Sequence, residues 1–525
     1  MSKENNNQII TFGCRLNAFE SQAIKQAIDA STQKNLIVFN SCAVTAKAEK
    51  DVISSVKKAR KNNPNAKIVL TGCLAQINPQ KFAQMPEIDL VLGNSEKSLS
   101  QSYDFSKKNF DPENNVNNKI DSLNSLNNNK DSSQDSTTNI VNSNKTNINL
   151  HQDQIFKTEI TKQNGFFEEK NSQKIKVNDI MSIKDTAPQL VSYFDDQTRA
   201  FLEIQNGCNH RCTFCIIPYG RGNSRSVPLG VIVDQAKKML DNGHKEIVLT
   251  GVDISDYGKD LPSPINLAQM IKRLLKMLPN LERLRLSSID VAELDDEFLE
   301  VLKSEERLMP YLHLSVQSGD DLILKRMKRR HTSQQLIDFC QKARLARPNI
   351  TFGADLIAGF PSEDQQMFDN SLKIIEQADL IFTHIFPFSP RLGTPAYKMK
   401  QLDKKTIKNR AKILREKGQQ QLTKFLQQQI GKTFEVLVEK NNLGKTKNFL
   451  NVRIVDNIDS RSGNYSTFSS LAENSKIINT QIINSKTPNI KNNNYQQNST
   501  FIHENTEVLA KVIDYNEKEL IAVKC

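Results

Sequence analysis

Cys208-Asn-His-Arg-Cys-Thr-Phe-Cys215 follows directly on an apolar run, residues 200–204, and so opens the loop that leaves a predicted strand. Its three cysteines have C-x3-C-x2-C spacing. Thiolates are soft ligands, and clustered cysteines in a chain of this size suit an iron–sulfur cluster or zinc. Three ligands hold three irons of a 4Fe–4S cube and leave the fourth iron open to a substrate or cofactor. An incomplete shell marks a catalytic rather than a structural zinc in the same way. A zinc knuckle is the competing reading; it needs a fourth Cys or His at close spacing, and His210 lies inside the loop. Phe214 adds an aromatic plane beside the last cysteine.

Outward from this loop the chain alternates strand and helix patterns. Residues 200–205, 246–250, 283–287, 311–314, 351–356 and 381–386 read as strands, with helical spacing of apolar residues at 229–240, 267–278, 296–302 and 333–346. Strand–helix units of this size predict an open partial barrel, since a full barrel needs about eight. Chemistry in such folds gathers at the carboxyl ends of the strands, which places Cys208, Gly251, Ser288, Gln317, Asp355 and Phe388 around one mouth.

The first hundred residues alternate as well. Residues 9–12, 36–39, 67–70 and 90–92 read as strands, with helices at 18–30 and 46–61, so a parallel sheet flanked by helices is expected. A cysteine follows three of these strands: Cys14, Cys42 and Cys73. Loops at the carboxyl edge of an open parallel sheet converge on ligands, and would bring these cysteines together. Again there are three, so this site too would leave one iron open. Cys340 falls on a helical pattern and reads as a buried small hydrophobe, and Cys525 as an incidental exposed thiol.

Composition sets bounds on the rest. The chain has 525 residues, enough for two to four domains, yet only 38% are hydrophobic. Two tracts, about 104–177 and 456–498, are dominated by Asn, Ser, Lys, Asp, Gln and Thr; such composition buries too little apolar surface to offset ordering entropy, so both are expected to be disordered. The net charge of +12 suits a polyanionic partner, most often nucleic acid. No apolar stretch is long enough to span a membrane, no signal-peptide pattern opens the chain, and eight cysteines in that context argue for metal binding rather than disulfides, in a reducing, cytoplasmic setting.

The Cys208–Cys215 loop resembles that of the radical S-adenosylmethionine (SAM) enzymes. Two cysteine triads together resemble the methylthiotransferases, a branch of that family with an auxiliary N-terminal cluster. The likeness extends over Thr11-Phe-Gly-Cys-Arg-Leu-Asn-Ala-Phe-Glu-Ser21, Asn40-Ser-Cys-Ala-Val-Thr45, Val91-Leu-Gly-Asn-Ser-Glu-Lys97, Cys215-Ile-Ile-Pro-Tyr-Gly-Arg-Gly222, Leu312-His-Leu-Ser-Val-Gln-Ser-Gly319 and Phe386-Pro-Phe-Ser-Pro-Arg391. The resemblance implies an α/β domain over residues 1–103, a polar insertion over 104–190, and a radical SAM core, a partial (β/α)6 barrel, over 194–429. A small β-barrel, similar to the RNA-binding TRAM module, would follow over 430–525, interrupted at about 456–498.

It also implies two 4Fe–4S clusters, one on Cys208, Cys212 and Cys215 and one on Cys14, Cys42 and Cys73. SAM would be held at the first, with Phe214 near its adenine, Gly251 and Asp253 near its methionine part, and Gln317 and Asp355 among the remaining contacts. The substrate would be tRNA, modified at adenosine 37 of the anticodon stem-loop, and the electrons would come from a flavodoxin or ferredoxin. Gly13-Cys-Arg-Leu-Asn17 and Met327-Lys-Arg-Arg-His331 look most like the branch acting on threonylcarbamoyladenosine. Other branches act on isopentenyladenosine or on a ribosomal-protein aspartate. The threonylcarbamoyl group carries a carboxylate, for which Lys328, Arg329 and Arg330 are candidate partners. A non-catalytic iron–sulfur RNA-binding protein is the reading from another class, against which stand two incomplete triads.

Overall fold

The computed structural model describes residues 6–31, 33–105, 174–183, 198–455 and 502–525. Most of both polar tracts lies outside them. The chain divides into two compact units, Met1–Leu422 and Thr423–Cys525.

The first unit begins with a parallel sheet of five strands in sequential order: β1 (Gln8–Thr11), β2 (Leu36–Ser41), β3 (Lys67–Gly72), β4 (Leu90–Leu92) and β5 (Ile175–Lys176). Strand β2 is buried along its whole length, as a central parallel strand covered on both faces must be. Helix α1 (Arg15–Asp29) buries Leu16, Phe19, Ala23, Ile24 and Ala27, a stripe at three- and four-residue spacing. Helix α2 (Ala46–Asn62) is lysine-rich and buries only Val52, Val56 and Ala59; its first turn is capped by Thr45, whose side chain accepts from the Ala48 N–H.

Strand β5 corrects the sequence reading. Residues 104–190 were expected to be a mostly disordered insertion or linker, with no strand assigned; Ile175 and Lys176 pair in parallel with Val91 and Leu92, and the Asn178 carbonyl accepts from Gln76. Two apolar residues, Ile175 and Val177, pack on the sheet's apolar core. A two-residue strand at the edge of a polar tract is too short to leave a periodicity.

The half-barrel follows. Strands β6 (Arg199–Asn206), β8 (Glu246–Gly251) and β9 (Arg283–Leu286) form one parallel sheet, to which the short β7 (Arg225–Ser226) adds antiparallel at the edge of β6. Strands β10 (Ser288–Ile289), β11 (Tyr311–Gln317), β12 (Thr351–Ala358) and β13 (Leu380–Pro387) form the second. Only Ser287 separates β9 from β10, so the two sheets continue one arc. Phe19 and Ala23 of α1 belong to the same apolar cluster as Ala200 and Leu202 of β6, so the first sheet's helix and the half-barrel share a core.

The second unit holds a closed barrel in the order β14 (Thr433–Val438), β15 (Leu443–Thr446), β16 (Asn451–Val455), β18 (Leu520–Lys524), β17 (Glu507–Tyr515). Closure leaves no free edge. Strand β15, Leu443-Gly-Lys-Thr, has the composition of a turn, yet it pairs antiparallel with both β14 and β16.

Candidate active site

Cys14, Cys42 and Cys73 leave the carboxyl ends of three adjacent strands, β1, β2 and β3. Two glycines let them approach. Gly13 has φ +106°, and a Cβ there would fall 2.7 Å from Cys42 Cβ. Gly72 has φ +90°, and a Cβ there would fall 2.3 Å from the Ser41 carbonyl oxygen. Any other residue at either position would be strained and would push two cysteine-bearing loops apart. Cys73 is not in an open loop, as the strand–loop context suggested; it opens a short helix, α3 (Cys73–Ile77), and is buried. Asn17 ties the loops together, its side-chain amide donating to the Phe12 carbonyl (2.6 Å) and the Ser41 carbonyl (3.2 Å).

These thiols are free, and burial, reinforced by the Cys73 sulfur, raises both Cys14 and Cys42. Burial, reinforced by the neighbouring Cys73 sulfur, pushes the Cys42 thiol up to about 11. In the second triad burial and Cys212 push Cys215 up to about 12, and burial with Asp253 raises Cys208 further. Three thiolates so placed need cationic charge among them, and a bound metal deprotonates its thiols outright. Both triads therefore fit a metal–sulfur group.

The second triad is held by backbone contacts. Cys208 N–H donates to the Gly222 carbonyl (3.1 Å), Cys215 N–H to the Cys212 carbonyl (3.0 Å), and Thr213 N–H to the Met327 carbonyl (3.1 Å). Asp253 lies 3.7 Å from Cys208 Sγ and 3.0 Å from His210 Nε2. Cys208, His210 and Asp253 thus each bring one donor atom within 4.8 Å of the others, so the loop histidine faces Asp253 rather than completing a knuckle with the other two cysteines. Gly251 makes the turn that places Asp253: a Cβ there would fall 2.6 Å from the Gln205 carbonyl oxygen, and Gln205 Oε1 accepts from the Val252 and Asp253 N–H groups.

A cavity of about 200 Å³ joins the two regions. Phe214, Cys215, Gln317 and Asp355 line one part of it, and Val44 and Thr45, two and three residues after Cys42, another. Ile216, Ile217, Ile357, Phe386 and Phe388 make much of its remaining wall apolar. Gln317 stands at φ +70° at the end of β11. Asp355 accepts from His313 Nε2 (2.9 Å), and His384 Nδ1 lies 3.3 Å from the same oxygen. Burial alone would raise the Asp355 carboxyl; the hydrogen bonds from His313 and His384 outweigh it and hold the group well below the usual carboxylate range.

Of the candidate residues, Gly251, Asp253, the basic strip and every triad cysteine except Cys215 lie outside the lining of this cavity. Arg329 turns inward: Nη2 donates to Asp290 (2.9 Å) and to the Ser315 carbonyl (2.9 Å), and Nη1 is 3.7 Å from Cys212 Sγ. Arg330 pairs with Glu293 and Asp290. Lys328 is exposed, at φ +58°. Two of the three cations therefore already share carboxylates that sequence reading did not link to them. Cys340 is fully buried and Cys525 exposed.

One buried partner of the first triad was missed altogether. Arg221, six residues after Cys215, is buried among residues of the first sheet. Its Nε is 3.1 Å from Cys73 Sγ, Nη2 donates to Asn17 Oδ1 (2.6 Å) and Glu20 Oε2 (2.9 Å), and Nη1 pairs with the other Glu20 oxygen. Burial would push Glu20 up, but Arg221 and Lys97 lower it. The sequence signal was present in Cys215-Ile-Ile-Pro-Tyr-Gly-Arg-Gly222, yet a lone Arg gives no sign of a partner far away in sequence.

An open half-barrel with C-x3-C-x2-C at its mouth defines a radical SAM protein, and the Radical SAM superfamily model matches residues 202–375. Residues 6–93 match Uncharacterized protein family UPF0004. The Threonylcarbamoyladenosine tRNA methylthiotransferase MtaB of Rickettsia prowazekii is 47% identical over 85% of this chain and 91% of its own. The protein of the same name from Aquifex aeolicus is 31% identical over 84% of this chain and 95% of its own. The tRNA-2-methylthio-N(6)-dimethylallyladenosine synthase of Erythrobacter litoralis is 29% identical over 82% and 86%. The chain belongs to the radical SAM methylthiotransferases, in the family of the MtaB enzymes.

Proposed function

We propose that this enzyme adds a methylthio group to C2 of N6-threonylcarbamoyladenosine at position 37 of tRNA, in the anticodon stem-loop. The observation that carries the reading is the cavity with Cys215 on one wall and the residues after Cys42 on another, in a chain 47% identical to a threonylcarbamoyladenosine tRNA methylthiotransferase. C2–H of adenine is neither acidic nor nucleophilic enough for ordinary acid–base chemistry, so two sites with different tasks are needed.

Cys208, Cys212 and Cys215 would hold one 4Fe–4S cluster, and Cys14, Cys42 and Cys73 the other. Bound there, the clusters would supply one-electron reduction of SAM at the first site and carry the sulfur at the second, with a second SAM as the donor of the methyl group. The chain positions and shields. Phe214, Ile216, Ile217, Ile357 and Phe388 keep water from the reacting groups, which a radical step requires. Gln317 and Asp355 offer polar contacts within that apolar wall, and Asp253, 3.7 Å from Cys208 Sγ, would be the acidic partner of the SAM amino group. Gly251 keeps the turn under Asp253 open. The cationic strip Lys328–Arg330 keeps a role toward the substrate carboxylate through Lys328 and the exposed edge of Arg330. Electrons come from a small redox protein such as flavodoxin or ferredoxin.

The net charge of +12 and the C-terminal barrel, in the position of a TRAM module, suit tRNA binding. The setting is cytoplasmic, where tRNA is modified; among the described residues no helix is long and apolar enough to cross a membrane. The test uses anaerobically reconstituted enzyme, SAM and dithionite with tRNA carrying either base. Methylthio product on threonylcarbamoyladenosine is expected. Product on isopentenyladenosine alone would overturn the substrate while leaving the chemistry in place.

A further inference from the structure

The geometry points to Arg221 as a positioning residue that tunes the sulfur-carrying site and locks it to the radical site; this rests on the reading of Cys14, Cys42 and Cys73 as cluster ligands. Arg221 ends the short helix Ile217–Arg221, which starts two residues after Cys215. That helix lies against α3, which Cys73 opens: Ile216 shares a buried apolar cluster with Cys73, Leu74 and Ile77, and Asn94 Nδ2 donates to the Gly220 carbonyl (2.5 Å). The last ligand of one triad and the last ligand of the other are therefore joined through one guanidinium.

The donors of that guanidinium are divided among three tasks. Nε–H points at Cys73 Sγ from 3.1 Å, while the two terminal nitrogens grip Glu20 and Asn17. Glu20 in turn is held by Lys97 at 2.6 Å, and the side chains of Glu20 and Lys97 are 1% and 0% exposed. The fork is thus fixed before any metal arrives. A hydrogen bond to a ligating sulfur, and a positive charge beside it, stabilise the more negative state of a cluster and raise its reduction potential. Glu20 is shared between Lys97 and the terminal nitrogens of Arg221, so Nε–H is the part of the guanidinium left to act on the sulfur. Arg329 stands in a similar relation to Cys212, but at 3.7 Å and with its other end on Asp290.

The experiment isolates the auxiliary site in full-length protein carrying Cys208→Ala, Cys212→Ala and Cys215→Ala, reconstituted anaerobically with iron and sulfide. Arg221→Met is expected to lower the midpoint potential in a titration followed by electron paramagnetic resonance, and to speed iron loss to a ferrous chelator about tenfold or more. Arg221→Lys keeps the charge but cannot span Glu20, Asn17 and Cys73 together, so a smaller shift in the same direction is expected; it carries the test if the Met variant fails to fold by circular dichroism. Arg391→Met is the control, since Arg391, just after β13, pairs with Glu49 of α2 (3.0 Å), an ion pair to the first sheet's helix that involves no cysteine. Unchanged potential and iron loss in both Arg221 variants would overturn the inference, as would an equal shift in Arg391→Met. Absence of iron from the parent protein would instead remove the ligand reading itself.

Discussion

The two thiol sites are built by opposite means. Cys208, Cys212 and Cys215 lie on one loop, and local backbone hydrogen bonds such as Cys215 N–H to the Cys212 carbonyl fix their spacing. Cys14, Cys42 and Cys73 come from three loops and meet only because β1, β2 and β3 lie side by side in parallel. The first site depends on a short stretch of chain, the second on the whole N-terminal sheet. A contiguous site tolerates distant change, whereas an assembled one inherits every strain in the sheet that carries it.

The sharpest break between them comes from removing ligands. Cys14→Ala, Cys42→Ala or Cys73→Ala is expected to abolish methylthio product while deoxyadenosine still forms from SAM and dithionite. Cys208→Ala, Cys212→Ala or Cys215→Ala is expected to abolish both, and the triple variant should retain half of the iron. Folded Cys42→Ala protein that no longer cleaves SAM would show that the sites do not divide the labour.

A smaller effect separates the means of assembly. Gly72→Ala places a Cβ 2.3 Å from the Ser41 carbonyl oxygen in a backbone at φ +90°. The strain alone costs about 1–3 kcal/mol. Iron at the assembled site should fall well before SAM cleavage does, as read by iron analysis and deoxyadenosine yield on one preparation. Equal loss of both would mean that the sheet supports the radical site as strongly as its own.

How each site could be read from sequence follows from the same contrast. Cys208–Cys215 declares itself by spacing, and the strands around it by apolar runs whose edges the structure moves by one to three residues. The N-terminal triad was legible only indirectly, from a shared strand–cysteine context, because α/β alternation fixes where loops emerge. What pairs across the fold left no local trace. Arg221 on Glu20 and Cys73, and Arg329 and Arg330 on Asp290 and Glu293, are distant partners. The basic run was legible as charge, but not the carboxylates that already hold two of its members. Strands β5 and β15 were hidden for a simpler reason, one being two residues long and the other having the composition of a turn.

The smallest expected effect belongs to a cysteine in neither site. Cys340 lies on the helix Ser333–Ala346, fully buried within the main apolar cluster together with Leu336, Phe339 and Ala343. Burial pushes its thiol up to about 12, so it stays protonated and packs as a small hydrophobe. Cys340→Ala removes one sulfur from a close-packed core and should cost about 1 kcal/mol. The melting temperature should fall by a few degrees at most, with iron content and SAM cleavage unchanged. Cys340→Ser has nearly the same shape but brings a hydroxyl into apolar surroundings, at about 1–3 kcal/mol if it finds no partner. The order Cys, then Ala, then Ser in thermal stability, at constant iron, would mark Cys340 as a packing residue. Iron loss from Cys340→Ala comparable to that from Cys42→Ala would instead mean that the half-barrel's core controls metal binding, and the contrast between a local and an assembled site would fail.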